Sequence, residues 1–185
     1  MGKIKIAVIV FFSFFLVIEL NVISIAYGAP VVLSETGFFN TPGTSEAVVV
    51  SGDYAYVADG YSGLRIIDVS DPAAPSETGF YNTSGYAYDV AVSGDHAYVA
   101  DGSKGLRVIN VTNPAAPSES GFYDTPGSAR GVALSGNLAY VADSNRGLQI
   151  INIGSAGSPY LVGSLATPGS AYGLAVSSLY AFVAD

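Results

Sequence analysis

The chain has no cysteine, one histidine and only seven lysines and arginines against fifteen aspartates and glutamates. Each scarcity removes a class of function. Without cysteine there is no disulfide, no thiolate nucleophile and no lipid attachment to a cysteine after the leader. With a net charge of −8 and a pI near 4.3 there is no basic patch to hold a phosphate backbone, which argues against nucleic acid as a partner. A Ser–His–Asp or Cys–His site would have only His96 to use. The equivalents of His96 in neighbouring repeats are Tyr54, Leu138 and Tyr180, which marks an ordinary strand position. What the chain has in abundance is glycine (22) and tyrosine (13), the composition of a glycine-punctuated β protein.

Its organisation is a 42-residue repeat. Glu35-Thr36-Gly37-Phe38 returns as Glu77-Thr78-Gly79-Phe80 and as Glu119-Ser120-Gly121-Phe122. The units span 35–76, 77–118 and 119–160, with a partial copy at 161–185. The first two share 28 of 42 positions. A fixed period of about 40–50 residues holding several short strands is the mark of a β-propeller. In the second unit, turn residues cut the chain into strands at Ser76–Asn82, Tyr86–Ser93, His96–Asp101 and Leu106–Val111. Glycine supplies positive φ in the turns, and proline, which cannot donate to a ladder, falls between strands. The strands are apolar on both faces, as in Tyr98-Val99-Ala100, so each sheet is covered on both sides. Naming strands a to d from the axis outwards, Tyr86–Ser93 is a and Ser118–Asp124 is d. The d–a and b–c connections then share one end of the molecule.

Residues 29–185 form the repeat domain, and residues 1–28 have the form of a signal peptide. Lys3 and Lys5 precede an apolar run from Ile6 to Ile18 broken only by Ser13, and Ala26-Tyr27-Gly28 offers small residues for cleavage. The rival is an uncleaved anchor over Ile6–Ala26, carrying Glu19 and Asn21. Cleavage leaves no membrane insertion and a secreted or extracytoplasmic protein, at the cell surface or in the periplasm.

Three stretches carry a family resemblance: Gly63-Leu64-Arg65-Ile66-Ile67-Asp68-Val69-Ser70-Asp71-Pro72, Tyr88-Asp89-Val90-Ala91-Val92-Ser93-Gly94-Asp95, and Val99-Ala100-Asp101. They resemble the LVIVD-repeat family of secreted or cell-surface β-propeller repeats, over Val32 to Asp185. The resemblance implies an all-β propeller of four-stranded antiparallel blades. It implies no reaction and no catalytic residue. The third copy departs from it, with Gly154-Ser155-Ala156-Gly157 in place of the Ser-Asp-Pro turn, which is expected to loosen one edge. The count of strands, ending in one more a and b at Asp185, gives an incomplete propeller, a truncated piece of a longer one whose open strand edge invites self-association.

The copies differ most at the d–a loop and the start of strand a. Thr44-Ser45-Glu46-Ala47 becomes Tyr86-Ala87-Tyr88-Asp89, then Ser128-Ala129-Arg130-Gly131, then Ser170-Ala171-Tyr172-Gly173. The b–c loops also vary, as Tyr61-Ser62, Ser103-Lys104 and Asn145-Arg146. Both sets belong to one face, so Glu46, Tyr86, Tyr88, Asp89, Arg130 and Tyr172 are the candidate ligand-binding residues, with Glu46, Asp89 and Arg130 facing the axis. Loop drift without function explains the same variation. Asp59, Asp101, Asp143 and Asp185 recur at the end of strand b. A ring of metal-binding carboxylates is one explanation; aspartates bonding to their own turn backbone in Asx-turn fashion is the simpler one. No metal and no cofactor is called for. Asn82-Thr83-Ser84 and Asn110-Val111-Thr112 fit the glycosylation triplet, a pattern common by chance. The residues favour a binding or scaffolding module for a surface protein or a glycan, not an enzyme. The alternatives are a carboxylate enzyme using Glu46 and Asp89 at the channel mouth, and a purely structural array.

Overall fold

The computed structural model describes residues 35–185 and three two-residue strands before them, β1 (Lys3–Ile4), β2 (Ile23–Ser24) and β3 (Val32–Leu33). The other residues before Glu35, on which the expected signal peptide and cleavage site fall, lie outside the described residues. Among those described there is no helix.

A short strand, β4 (Phe39–Asn40), precedes three four-stranded sheets. The first sheet is β5 (Ala47–Ser51), β6 (Tyr54–Ala58), β7 (Leu64–Asp68) and β8 (Ser76–Tyr81). The second is β9 (Asp89–Ser93), β10 (His96–Ala100), β11 (Leu106–Asn110) and β12 (Ser118–Tyr123). The third is β13 (Gly131–Ser135), β14 (Leu138–Ala142), β15 (Leu148–Asn152) and β16 (Tyr160–Leu165). A hairpin follows, β17 (Gly173–Val176) with β18 (Ala181–Ala184). Each sheet is an antiparallel meander in chain order. The first strands of successive sheets, β5, β9, β13 and β17, pack on one another, which makes them the innermost strands. These are the propeller blades expected from the repeat. Each structural blade starts at its d–a loop, so its frame is shifted from the 35–76 phase of the sequence repeat.

Apolar residues at both parities of each strand are the reason for this stacking. Tyr56, Ala58, Leu64 and Ile66 of the first blade cluster with Ala87, Val90, Ala97, Val99, Ile109 and Val111 of the second. Ala55, Val57, Ile67 and Val69 cover the first blade's other face, with Phe39 against them. The second and third blades meet through Tyr98, Leu106 and Val108 against Val132, Val141 and Ile151. The middle strands β6, β7, β10 and β11 expose neither face, and a blade's stability comes from its neighbours.

Close backbone approach explains the invariant glycine of strand d. A Cβ on Gly79 would stand 2.3 Å from the carbonyl oxygen of Pro114, in the c–d turn of the next blade. Gly37 meets Pro72 and Gly121 meets Ala156 in the same way. The segment around Gly37 therefore occupies the place of strand d against the first blade. The residue before Gly79, Gly121 and Gly163 in strand d is a bulge, with the register shifting between Ile66 and Ile67 and at the equivalent points.

Two expectations need correction. Strand a begins at Asp89, not Tyr86, because Ala87 pairs instead with Gly60 in the b–c turn of the preceding blade. The third c–d turn is not loosened as expected. Ser158 N–H still donates to the Ser155 carbonyl at 3.0 Å, and Gly154 N–H to Asn152 Oδ1 at 3.0 Å. Only the side-chain bond that Asp71 and Asn113 accept from Ala73 and Ala115 has no counterpart at Ser155. The backbone hydrogen bond holds the turn without it.

Candidate functional site

The site is built on a repeated polar tether. The aspartate ending each strand b accepts hydrogen bonds from the d–a loop of its own blade, sixteen and eighteen residues earlier. Thr83 Oγ1 donates to Asp101 Oδ1 at 2.5 Å and Gly85 N–H to Oδ2 at 2.8 Å. Thr125 and Gly127 hold Asp143 at 2.6 and 2.9 Å, and Thr41 and Gly43 hold Asp59 at 2.5 and 2.8 Å. Asp59, Asp101 and Asp143 are fully buried. The expected Asx turn onto the residue's own turn is thus replaced by a longer-range bond, although the role remains structural. The sequence carried the signal, since Thr and Gly recur 18 and 16 residues before each aspartate in all four copies. Among the described residues no three His, Asp or Glu side chains converge as metal ligands do.

Burial pushes the carboxyls of Asp101 and Asp143 above the usual range, opposed by these hydrogen bonds and by Arg107 and Arg146 respectively. Arg65 Nε and Arg107 Nε approach Asp59 and Asp101 at 3.9 and 3.8 Å. Their guanidinium groups lie over Phe80 and Phe122 at 4.4 and 4.6 Å. In the third blade both partners change together, to Gln149 and Ser164, which stand opposite each other in the register.

A second tether joins blades. Gly60 pairs with Ala87, Gly102 with Ala129 and Ser144 with Ala171, each linking a b–c turn to the d–a loop of the next blade. The amide and carbonyl of Gly60 bond Ala87 at 3.2 and 3.0 Å. The b–c and d–a loops therefore lie on one face, as the topology predicted. At the other end, the a–b turns meet the c–d loops, as in Val69 N–H to the Asp53 carbonyl at 2.8 Å.

Five of the six candidate residues form one line across this face. Tyr86 Oη donates to Glu46 Oε1, and that bond, ahead of burial, raises the tyrosine's pKa. The rings of Tyr86 and Tyr88 meet at 4.5 Å, tilted by 38°. The Arg130 guanidinium lies 3.9 Å from the Tyr88 ring centroid and 5.8 Å from that of Tyr172. No described carboxylate comes within ion-pairing distance of Arg130, so the rings stabilise it. Asp89 departs from the line. Its Oδ1 accepts from Val90 N–H and its Oδ2 from Val132 N–H, both at 2.9 Å, which stitches strand a to the next blade. Burial pushes this carboxyl up, opposed by the two amides.

Sequence reasoning left Tyr61 out of the set, although the varying b–c loops pointed to it. Tyr61 is 83% exposed and stands nearly perpendicular to Tyr86, with centroids 4.7 Å apart. Beside these rings is a cleft of about 330 Å³ lined by Tyr61, Ser84, Tyr86, Tyr88, Ser103 and Ser128. Glycine permits it. Gly60 and Gly102 have φ of 57° and 58°, and a Cβ on either would press on the Tyr86 or Tyr88 ring, at 3.0 and 3.2 Å.

Stacked meander blades around an axis, with loops gathered at one end, define a β-propeller repeat module. Solved structures share the fold. A computationally designed protein, Ika4, superposes with a TM-score of 0.63 at 8% identity, over 78% of this chain and 86% of that one. The β-propeller domain of Cps50 (Swd1) from Myceliophteria thermophila gives 0.58 at 19% identity, over 71% of this chain and 46% of that one. U3-55K gives 0.57 at 14% identity, over 74% of this chain and 43% of that one. No curated protein matches the chain. The LVIVD repeat model matches residues 42–83, 84–125, 126–167 and 168–185, so the chain belongs to the LVIVD repeat family. The first three of those limits follow the structural blades, each from its d–a loop through strand d, and the fourth covers the β17–β18 hairpin.

Proposed function

We propose that this protein is an extracytoplasmic binding module whose d–a/b–c face holds a surface protein or a glycan. One observation carries the reading. The positions at which the repeats differ most converge in a single contact chain, Glu46–Tyr86–Tyr88–Arg130–Tyr172, across four consecutive repeats. Drift would scatter unrelated side chains; here they satisfy one another and present aromatic surface. Engagement of Asp89 by two amides and of Glu46 by Tyr86 supports binding over carboxylate hydrolysis. The leader pattern at Lys3, Lys5 and Ile6–Ile18 supports export.

A photo-crosslinking residue at Ser103 on this face, compared with one at Asp95 on the opposite end, tests the proposal on intact cells. Crosslinked envelope material from position 103 alone is expected. Capture only from position 95, or from neither, refutes it.

A second reading concerns assembly. Phe182 is 63% exposed, whereas its equivalents Tyr56 and Tyr98 are 5% exposed between blades. A Cβ added to Gly163, the counterpart of the crowded Gly79, would meet nothing within 4 Å. This exposure supports the reading that the β17–β18 hairpin packs against a further blade, from this chain or from a second copy. Concentration-dependent sedimentation that Phe182→Ser abolishes is the expected result for self-association.

A further inference from the structure

The Tyr61 cleft has the chemistry of a site for one class of ligand, and we infer that it binds a neutral pyranose sugar. This rests on the binding reading above and makes it specific. The lining offers three aromatic rings and the hydroxyls of Ser84, Ser103 and Ser128, with no charged side chain. Sugars need that combination: C–H faces that lie on aromatic rings, and hydroxyls that exchange hydrogen bonds with short polar groups. A volume of about 330 Å³ sits at the small end of ligand sites, which suits one or two sugar rings.

The rings are fixed before any ligand arrives. Tyr86 is held by Glu46 and lies against Gly60; Tyr88 lies against Gly102 and is held between Tyr86 and Arg130. Their rotamer entropy is already spent, so binding loses little more. Tyr61 stands at 85° to Tyr86 as a wall, with most of its ring free.

Two other ligand classes fit less well. A proline-rich peptide needs slots between separated rings, but Tyr86 and Tyr88 close on each other at 4.5 Å. A quaternary ammonium needs several ring faces around one empty space, and here Tyr88 is held between Tyr86 and Arg130, which leaves the open ring of Tyr61 for a sugar to lie on but no cage. An anionic ligand would find no cation in the lining.

The test is a titration of the full chain, by saturation-transfer NMR and calorimetry, with cellotetraose, maltotetraose, mannotetraose and chitotetraose. At least one is expected to bind with Kd of about 1 mM or tighter. Tyr61→Ala should weaken that binding at least tenfold, and Ser103→Ala severalfold. Tyr61→Phe should retain most of it, and Tyr160→Ala, an exposed tyrosine on β16, should change nothing. The exposure of Tyr61 makes its loss harmless to folding, which thermal melting verifies. Methyl glycosides binding as well as tetrasaccharides would indicate a free sugar or a chain end; affinity rising with length would indicate a polysaccharide chain. No binding to any of the four, or binding indifferent to Tyr61→Ala, overturns the sugar assignment. If crosslinking at Ser103 persists in that case, the binding reading stands and only the ligand class falls. If that crosslinking is absent too, both fall.

Discussion

Replacing Thr83 by valine isolates the polar tether, because valine keeps the shape and removes only the hydroxyl. Thr83 is 8% exposed, and its hydroxyl is 2.5 Å from Asp101, a carboxylate with no exposure. A hydrogen bond to a charged group contributes about 1.5–3 kcal/mol, and the buried oxygen left behind has no water to replace the donor. For a chain of this size about 1 kcal/mol moves Tm by roughly 2–4 °C, so Thr83→Val should lower Tm by about 3–12 °C. The repeats supply their own controls. Thr125→Val should cost as much, since Asp143 has the same two donors. Thr41→Val should cost less, because Ser45 Oγ also donates to Asp59 Oδ1, at 3.1 Å, while the equivalent of Ser45 in the other repeats is alanine. Thr167→Val should cost almost nothing: its hydroxyl bonds the Gly169 carbonyl at 3.2 Å in an exposed setting. Calorimetric or circular-dichroism melts of the four variants measure the order. Equal losses at Thr83 and Thr167, or none at Thr83, would refute the reasoning.

Gly79→Ala forces a Cβ onto the Pro114 carbonyl and should cost about 1–3 kcal/mol in urea unfolding, whereas Gly163→Ala, in open space, should be neutral or slightly stabilising. Asp89→Ala strips the acceptor from the Val90 and Val132 amides and should destabilise by about 1–3 kcal/mol, with Asp89→Asn losing less because one oxygen remains. Asp89, Asp101 and Asp143 have raised pKa values in the folded state, so the folded form binds protons more readily than the unfolded one. The stability tied to these groups is complete below the unfolded aspartate pKa, about 3.9, and declines as pH rises through their folded values. Tm should therefore rise, not fall, as pH is lowered through the folded values of these groups towards about 3.9, and Asp101→Asn should flatten that slope; a slope unchanged by Asp101→Asn would contradict the assignment.

The blade is legible in the residues alone. Alternating residues that are apolar at both parities, as in Tyr98-Val99-Ala100, demand a sheet covered on both faces. The 42-residue period demands that like sheets do the covering. Both are local or periodic properties, and periodicity survives without knowledge of contacts. The gathering of the variable loops on one face was legible too, because it follows from strand order alone. What each loop residue contacts is set by packing between blades. Glu46 and Asp89 occupy adjacent positions in the repeat and look alike as carboxylates. One accepts from a tyrosine forty residues away, and the other bridges amides of two blades. Side-chain direction at the mouth of strand a is set by where the next blade's backbone arrives, and no local pattern encodes that. The same holds for Tyr61, whose partner ring comes from the following repeat. It holds as well for the aspartates of strand b, which reach past their own turns to a loop sixteen residues earlier. Repeats fix the scaffold because they copy one another; the site arises where the copies differ, and there packing between blades, rather than the period, sets the geometry.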